Sequence, residues 1–350
     1  MVTFVGYMLQ EKSMRGYAFY LIFLCAAGLY AGAQTTGFYD RGMTAFNAHR
    51  YAEAVLLFAQ TEKESPGKTD ALLYEGKSLA NVGRFKEADA ALGAYLGNHP
   101  NSADALYMLG YVLNRENKPA ESLKTYTKAA QLAKPKSDDL KIVATDYVLL
   151  NDYPDAIKWM RQAIDFDPNN ESAWYGLGRC YYTQSSFTDA DKAFRYALKL
   201  DPTDLLAQIN LALTLEMLNE PIKADKEYRN AIVLADRDPH TDEWPYLDFA
   251  SFLLEEGRNA KAIPLLEKAI AIAPKCAKCH GKLGRALEAT GKNEAAVTEL
   301  EKAVALDPKD AQLHYALGHA YRSAGMMDKA KKELAMTAKM YARKDGSGQK

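Results

Sequence analysis

Residues 171–204 read ESAWYGLGRCYYTQSSFTDADKAFRYALKLDPTD, and this stretch decides the fold. Its marker residues are Trp174, Leu177, Gly178 and Tyr181 in the first half, and Ala190, Phe194, Ala197 and Pro202 in the second. In both halves apolar residues recur three or four positions apart, which is typical of an amphipathic helix. Pro202 closes the second half, because a residue without an N–H stops a helix. The stretch therefore predicts two antiparallel helices.

The same pattern recurs every 34 residues on both sides of this stretch. The repeats occupy 35–68, 69–102, 103–136, 137–170, 171–204, 205–238, 243–276, 277–310 and 311–344, with a four-residue insertion at 239–242. This period and these marker residues resemble the tetratricopeptide repeat (TPR) family. The resemblance implies an all-α fold: an α-solenoid in which antiparallel helix pairs form a right-handed superhelix with a concave groove.

Small residues stand where the two helices of a repeat must approach each other. Position 8 of the repeats holds Gly42, Gly76, Gly110, Ala144, Gly178, Ala212, Ala250, Gly284 and Gly318. Position 20 holds Ala54, Ala88, Ser122, Ala156, Ala190, Ala224, Ala262, Ala296 and Ala330. Position 24 is large throughout: Phe58, Leu92, Tyr126, Met160, Phe194, Tyr228, Leu266, Leu300 and Leu334. We expect the small residues to meet at the helix crossing and the large ones to fill the space around it.

The N-terminus has the features of an export signal. Arg15 precedes an uncharged apolar run, 17–33, that ends in Ala31-Gly32-Ala33. A basic start, a short apolar core and small residues before the cleavage site predict that residues 1–33 are a signal peptide. The alternative is an uncleaved membrane anchor formed by residues 16–33. A lipoprotein is disfavoured because Leu24, before Cys25, is not small. Either interpretation places the protein in the periplasm or outside the cell.

Composition and motifs exclude several function classes. Lys and Arg total 44 against 45 Asp and Glu, and this balance gives no attraction to nucleic acid. We find no phosphate-binding glycine loop, no nucleophile motif and no metal-ligand cluster, so we predict no catalytic residues, no metal and no cofactor. The polar tail, 345–350, contains no capping helix, and self-association through the last repeat is therefore a further hypothesis.

The TPR resemblance places ligand-contacting residues on the first helix of each repeat, at positions 2, 5, 6, 9, 12 and 13. The candidates there for a protein-binding groove are Tyr107, Tyr111, Lys141, Tyr175, Arg179, Tyr182, Asn210 and Trp244. Tyrosine and arginine combine contact area with hydrogen bonding, as protein-binding surfaces require. The alternative is that several of these tyrosines only fill space between neighbouring helices. The family's carboxylate clamp is not reproduced, so the expected partner is an internal peptide segment or a folded protein.

Residues 276–280 form a second candidate site, C-x-x-C-H. Two cysteines followed by a histidine can attach a c-type haem, with Cys276 and Cys279 bound to its vinyl groups and His280 ligating the iron. The same spacing suits a local Cys276–Cys279 disulfide at a helix start. A third interpretation is that both cysteines are merely small residues, with His280 packed between helices.

Three hypotheses for function follow. The first is an exported scaffold that binds protein or peptide segments in its groove during envelope assembly, transport or complex organisation. The second is a c-type haem or redox protein that uses 276–280. The third is an accessory TPR module of an envelope enzyme or export complex.

Overall fold

The computed structural model describes residues 37–66 and 70–344. The predicted export signal, 1–33, and the polar tail, 345–350, lie outside the described residues. Within the described ranges all regular secondary structure is helical, which confirms the predicted all-α fold. By their internal contacts the described residues divide into two compact units, one that ends at Pro135 and one that begins at Lys136.

The first unit contains six helices in its described part. They are α1 (Phe38–Asn47), α2 (Tyr51–Glu64), α3 (Ala71–Asn81), α4 (Phe85–Asn98), α5 (Ala103–Arg115) and α6 (Pro119–Leu132). Each helix packs mainly against the helices before and after it in sequence. The odd-numbered helices are the first helices of the repeats, and the even-numbered helices are the second.

The second unit continues the same alternation between Lys136 and Lys344. Its helices are α7 (Ser137–Leu149), α8 (Tyr153–Phe166), α9 (Glu171–Thr183), α10 (Phe187–Leu200), α11 (Leu205–Met217), α12 (Pro221–Ala235), α13 (Trp244–Glu255), α14 (Asn259–Ile272), α15 (Ala277–Ala289), α16 (Asn293–Leu306), α17 (Ala311–Ser323) and α18 (Met327–Lys344). Contacts again join sequential neighbours, and some successive first helices also touch. Such nearest-neighbour stacking is an α-solenoid, as predicted.

The interior of each repeat depends on the contact between positions 8 and 24. A methyl group added to Gly110 would lie 2.6 Å from a ring carbon of Tyr126, and one added to Gly178 would lie 2.6 Å from Phe194. Ala190, at position 20 of the same repeat as Gly178, is completely buried. The two helices can therefore approach this closely only because position 8 has at most a methyl group.

The turn between the two helices has the same conformation in every repeat of the described chain. Position 15 lies in the left-handed region, with a positive φ, at His49, Gly83, Asn117, Asn151, Ser185, Asn219, Gly257, Gly291 and Gly325. In repeat five the N–H of Ser185 bonds the carbonyl of Tyr182 at 2.9 Å, and the N–H of Ser186 bonds that of Tyr181 at 2.8 Å. This pair of bonds is the Schellman motif, which satisfies the last carbonyls of the first helix.

A first prediction tests the helix crossing. Gly110→Val should lower the free energy of unfolding by about 1–3 kcal/mol, because the added side chain overlaps Tyr126. Gly93→Val is the matched control, since Gly93 lies in α4 with no atom within 4 Å of an added methyl group. Urea denaturation would measure both. Equal destabilisation by the two substitutions would show that helix propensity, and not the crossing, sets the effect.

A second prediction tests the left-handed turn. Ser185→Gly should raise the free energy of unfolding by about 0.5–1 kcal/mol, because it relieves a side chain held at φ 58°. Gly291→Ser, at the same position of repeat eight, should lower it by a similar amount. Thermal unfolding of both variants would measure the effect. A loss of stability in the Ser185→Gly variant would contradict the prediction.

Candidate protein-binding surface

In the first unit, the predicted groove residues Tyr107 and Tyr111 lie one turn apart on α5. The Tyr107 hydroxyl donates to the carbonyl of Ala133 at 2.6 Å, and its ring centroid lies 5.8 Å from that of Tyr126. The Tyr111 ring lies 6.3 Å from the ring of Phe85. Both tyrosines therefore contribute to packing between helices, as the space-filling interpretation expects.

In the second unit, three predicted groove residues line one cavity of about 220 Å³. They are Lys141 on α7 and Tyr175 and Arg179 on α9, and we call this cavity the α7–α9 pocket. Its other lining residues are Thr145, Val148, Tyr153, Met160, Ser172, Gly176, Cys180 and Thr183. The pocket thus combines an apolar interior with two cationic side chains and two aromatic rings. This mixture suits the anchoring of a peptide side chain.

Polar contacts hold two sides of the α7–α9 pocket in place. The Lys141 ammonium donates to the hydroxyl of Ser172 at 2.8 Å and to the carboxylate of Asp138 at 3.0 Å. The amide of Asn210, another predicted residue, lies 3.4 Å from the Tyr175 hydroxyl. These contacts link α7, α9 and α11 in one polar layer.

Arg179 supplies the second positive charge of the pocket. Its guanidinium carbon lies 5.9 Å from the centroid of the Tyr175 ring, which indicates a cation–π contact. The side chain is exposed, and among the residues that the structure describes it forms no ion pair. Its N–H donors are therefore available to a carboxylate or carbonyl oxygen of a ligand.

Sequence reasoning missed the small residues of the α7–α9 pocket. Gly176 makes the space, since a methyl group there would lie 2.6 Å from the terminal methyl of Met160. Ser172 and Thr183 add hydroxyl groups to the lining. All three occupy positions 2, 6 and 13 of their repeat, which the family pattern already marked. Small side chains offer little contact area, so the criterion that selected tyrosine and arginine does not identify them.

Burial changes the chemistry of groups at the pocket. It raises the pKa of the Cys180 thiol to about 11, so this cysteine stays a protonated, weakly reactive thiol near neutral pH. Burial also raises the pKa of Tyr175. The pKa of Glu171, one turn before Tyr175, rises to about 7 because of burial, a hydrogen bond with Asp204 and the negative charges of Asp204 and Asp201.

The predicted residues Tyr182 and Trp244 lie outside this pocket. The Tyr182 ring packs edge-on against Phe187 at 5.4 Å, and burial raises its pKa. Trp244 is about half exposed, and the Lys278 ammonium lies 5.7 Å from its ring. Trp244 lines a separate cavity of about 480 Å³ beside the insertion at 239–242. The structure therefore divides the predicted groove residues among several places.

A cavity lined by charges of both signs lies in repeats seven to nine. Lys282 and Arg285 of α15 line a polar cavity of about 620 Å³, together with Glu255 and Glu288. Burial raises the pKa of Asp248, on α13, to about 6, although the charges of Lys278 and Lys282 oppose the shift. Burial and the positive charge of Arg285 lower the pKa of Lys282.

At the second candidate site, Cys276 and Cys279 are joined in a disulfide. The His280 ring is buried, with Nδ1 2.6 Å from a Glu299 oxygen and Nε2 3.1 Å from the Pro274 carbonyl. Haem attachment would require both thiols to be free and one ring nitrogen to leave its partner. The residues at 276–280 therefore do not fit a c-type haem.

The neighbouring repeats explain His280. His314 makes the equivalent contacts, with Nδ1 2.6 Å from Glu333 and Nε2 3.1 Å from the Pro308 carbonyl. In repeat five Trp174 donates its indole N–H to the Pro168 carbonyl at 3.0 Å. In these three repeats the position-4 ring donates an N–H to the proline carbonyl of the preceding repeat. This contact accounts for His280 as a packing residue.

The described ranges, 37–66 and 70–344, contain neither a candidate metal site nor a candidate membrane span. There, no group of three or more His, Cys, Asp or Glu side chains is arranged to hold a metal ion. None of the helices between Phe38 and Lys344 combines the length and hydropathy needed to cross a bilayer.

Family profiles match this chain along much of its length. Profiles described as TPR repeat or tetratricopeptide repeat match 75–137, 145–185, 171–204, 245–276 and 284–325. The chain belongs to the tetratricopeptide repeat family. TPR repeats support a role as a scaffold for protein interaction.

Comparison with known proteins gives one curated relative of this TPR chain and several similar structures. Cellulose synthase operon protein C of Pseudomonas fluorescens (strain SBW25) is 31% identical over 142 residues, which cover 38% of this chain and 11% of the relative. The match thus spans about a tenth of the relative's length. A TPR protein from Parabacteroides merdae superposes with a TM-score of 0.52 and 20% identity, covering 72% of this chain and 98% of that one.

A second similar structure is the APC/C hetero-tetramer Cut9–Hcn1. It superposes with a TM-score of 0.55 at 15% identity, covering 80% of this chain and 54% of that one. At this level of identity the similarity supports the TPR fold and says nothing about partners.

A third prediction concerns Glu171. Since its pKa is about 7 in the folded chain and about 4.5 when unfolded, the native state binds a proton that the unfolded state releases between these values. The stability contribution of Glu171 is therefore fully present below about pH 4.5 and is lost as pH rises through about 7. Glu171→Gln should reduce this loss and raise the melting temperature at about pH 8.

Thermal unfolding at about pH 5 and about pH 8 would measure the effect of Glu171. Glu256→Gln is the control, because it makes the same change of side chain at an exposed position. An unchanged difference in melting temperature between the two pH values in Glu171→Gln would contradict the assignment.

Proposed function

We propose that this TPR chain is an exported scaffold that binds an extended segment of a partner protein at the α7–α9 pocket. The observation that carries the proposal is the convergence of Lys141, Tyr175 and Arg179 on one cavity of about 220 Å³. A cavity with an aromatic wall and cationic donors can anchor one side chain of a peptide and orient its backbone.

The chemistry of the pocket indicates which peptide features it recognises. Val148 and Met160 offer apolar contacts to an aliphatic or aromatic side chain. Arg179 offers N–H donors to a carboxylate or a backbone carbonyl next to that side chain. A segment with a large apolar residue beside an acidic one satisfies both requirements.

Export is part of the proposal and rests on the N-terminal sequence. A basic residue, the apolar run at 17–33 and the small residues before Gln34 support a signal peptide or an anchor. The similarity to cellulose synthase operon protein C is consistent with a role in envelope assembly or polymer export. A TPR module that serves an envelope enzyme or export complex is the second form of this function.

Self-association is a further proposal about partners. On α18 the side chains of Met327, Met336 and Tyr341 are about half exposed. Contact between two such helices from two copies would bury this apolar surface.

A fourth prediction tests the pocket with a matched pair of variants. Tyr175→Ala/Arg179→Ala should weaken capture of the native partner at least tenfold, or about 1.4 kcal/mol, because the anchor and its donor are lost. Tyr196→Ala/Lys199→Ala is the control. It removes another tyrosine–cation pair, whose separation is also 5.9 Å, from the second helix α10.

Affinity capture from the envelope fraction, followed by quantitative mass spectrometry, would measure both variants. The control should retain the partner. Full retention by Tyr175→Ala/Arg179→Ala would place the binding surface elsewhere, and recovery of the same partners only from cytosol would contradict export.

A further inference from the structure

The disulfide at the start of α15 occupies a helix cap where other repeats use oxygen. Side-chain oxygens accept a helix N–H at the equivalent position of other repeats: Ser102, Asn170, Asp204 and Asp310. Cys276 is the last residue of repeat seven and precedes α15 of repeat eight. Its Sγ takes this role, 3.1 Å from the N–H of Cys279. A neutral sulfur is a weaker acceptor than oxygen, so capping alone does not favour cysteine here.

Cys276 and Cys279 differ in solvent exposure. Cys279 is completely buried, at the position where other repeats have a buried alanine such as Ala173. Cys276 is partly exposed and follows the exposed residues Pro274 and Lys275. Of the two, Cys276 is therefore the more accessible to an incoming thiolate.

The segment around Cys276 is rich in positive charge. Residues 268–287, between Glu267 and Glu288, contain five Lys and Arg side chains and no Asp or Glu, and Lys268 is paired with Asp236. The Sγ of Cys276 also lies at the N-terminus of α15, where the helix dipole is positive. The Glu299 carboxylate, on α16, hydrogen-bonds His280. Positive surroundings and a helix N-terminus favour the reduced, thiolate form of such a pair and make its disulfide a better oxidant.

We propose that Cys276–Cys279 is an exchangeable disulfide that oxidises a pair of cysteine thiols in a partner polypeptide. A partner thiolate attacks the Sγ of Cys276, the Cys276–Cys279 bond breaks, and Cys279 leaves as a thiolate that takes up a proton. The second partner thiolate then attacks the partner sulfur of the mixed disulfide and expels Cys276. The partner loses two electrons and two protons, and the Cys276–Cys279 pair gains them.

This activity is independent of the α7–α9 pocket. A purely structural disulfide is the competing explanation, but a loop of only four residues removes little entropy from the unfolded chain. The two explanations differ in whether thiols can open the bond in the folded protein.

The fifth prediction uses the full chain with Cys25→Ser and Cys180→Ala, so that only the C-x-x-C pair remains. A reduced synthetic peptide with two cysteines is added in excess to the oxidised protein. Mass spectrometry after alkylation should show one peptide disulfide formed, and two alkylated protein thiols, per chain. A disulfide that stays intact while the protein remains folded would overturn the proposal.

Two single-cysteine variants test which sulfur reacts. Each replaces a cysteine by a residue found at the equivalent position of another repeat, which preserves the fold. Cys279→Ala leaves Cys276 and should react with dipyridyl disulfide at least ten times faster than Cys276→Ser, which leaves the buried Cys279. Equal rates would contradict the assigned order of attack. Partner capture by Cys276→Ser/Cys279→Ala tests the scaffold function separately and should be unchanged.

Discussion

The close approach of two helices within each repeat is the constraint on which the structure depends. At Gly178 an added methyl group would lie 2.6 Å from Phe194, so the first helix can meet the second only where its side chain is reduced to hydrogen or methyl. Burial of large position-24 residues such as Leu300, which is fully enclosed, then supplies the apolar free energy of the repeat. The left-handed turn at position 15 reverses the chain direction, so that the second helix packs against the first at that crossing.

Much of this architecture could be predicted from the sequence, because every repeat needs small residues at the same positions for its two helices to pack. Small residues at positions 8 and 20 and prolines at the repeat ends predicted the helix pairs. The turns were only partly predictable. Glycine, as at Gly83 and Gly257, is the residue typical of a left-handed conformation, whereas Ser185 and His49 adopt the same conformation without a compositional signal. Their place in the repeat imposes the conformation, and residue identity does not reveal it.

The candidate surface was less predictable than the fold. Lys141, Tyr175 and Arg179 were selected by position and do line one pocket, but Trp244 lies at another cavity. Surface residues face solvent, so no packing requirement fixes their spacing. At 276–280 the spacing alone leaves a haem, a disulfide and two incidental small residues open. The contacts of the His280 ring distinguish these interpretations. Both ring nitrogens already have partners, the Pro274 carbonyl and the Glu299 carboxylate on another helix.

The crossing at positions 8 and 24 also has an evolutionary consequence, because both residues belong to the same repeat. A whole repeat can be duplicated or deleted without dismantling the crossing inside its neighbours. The insertion at 239–242 lies between two repeats, where added length spares both crossings. Such a chain can thus lengthen or shorten in steps of 34 residues. Tyr175 and Arg179 can change independently of the residues at the crossing. The positions that carry stability and the positions proposed to contact a partner are therefore different positions of the same repeat.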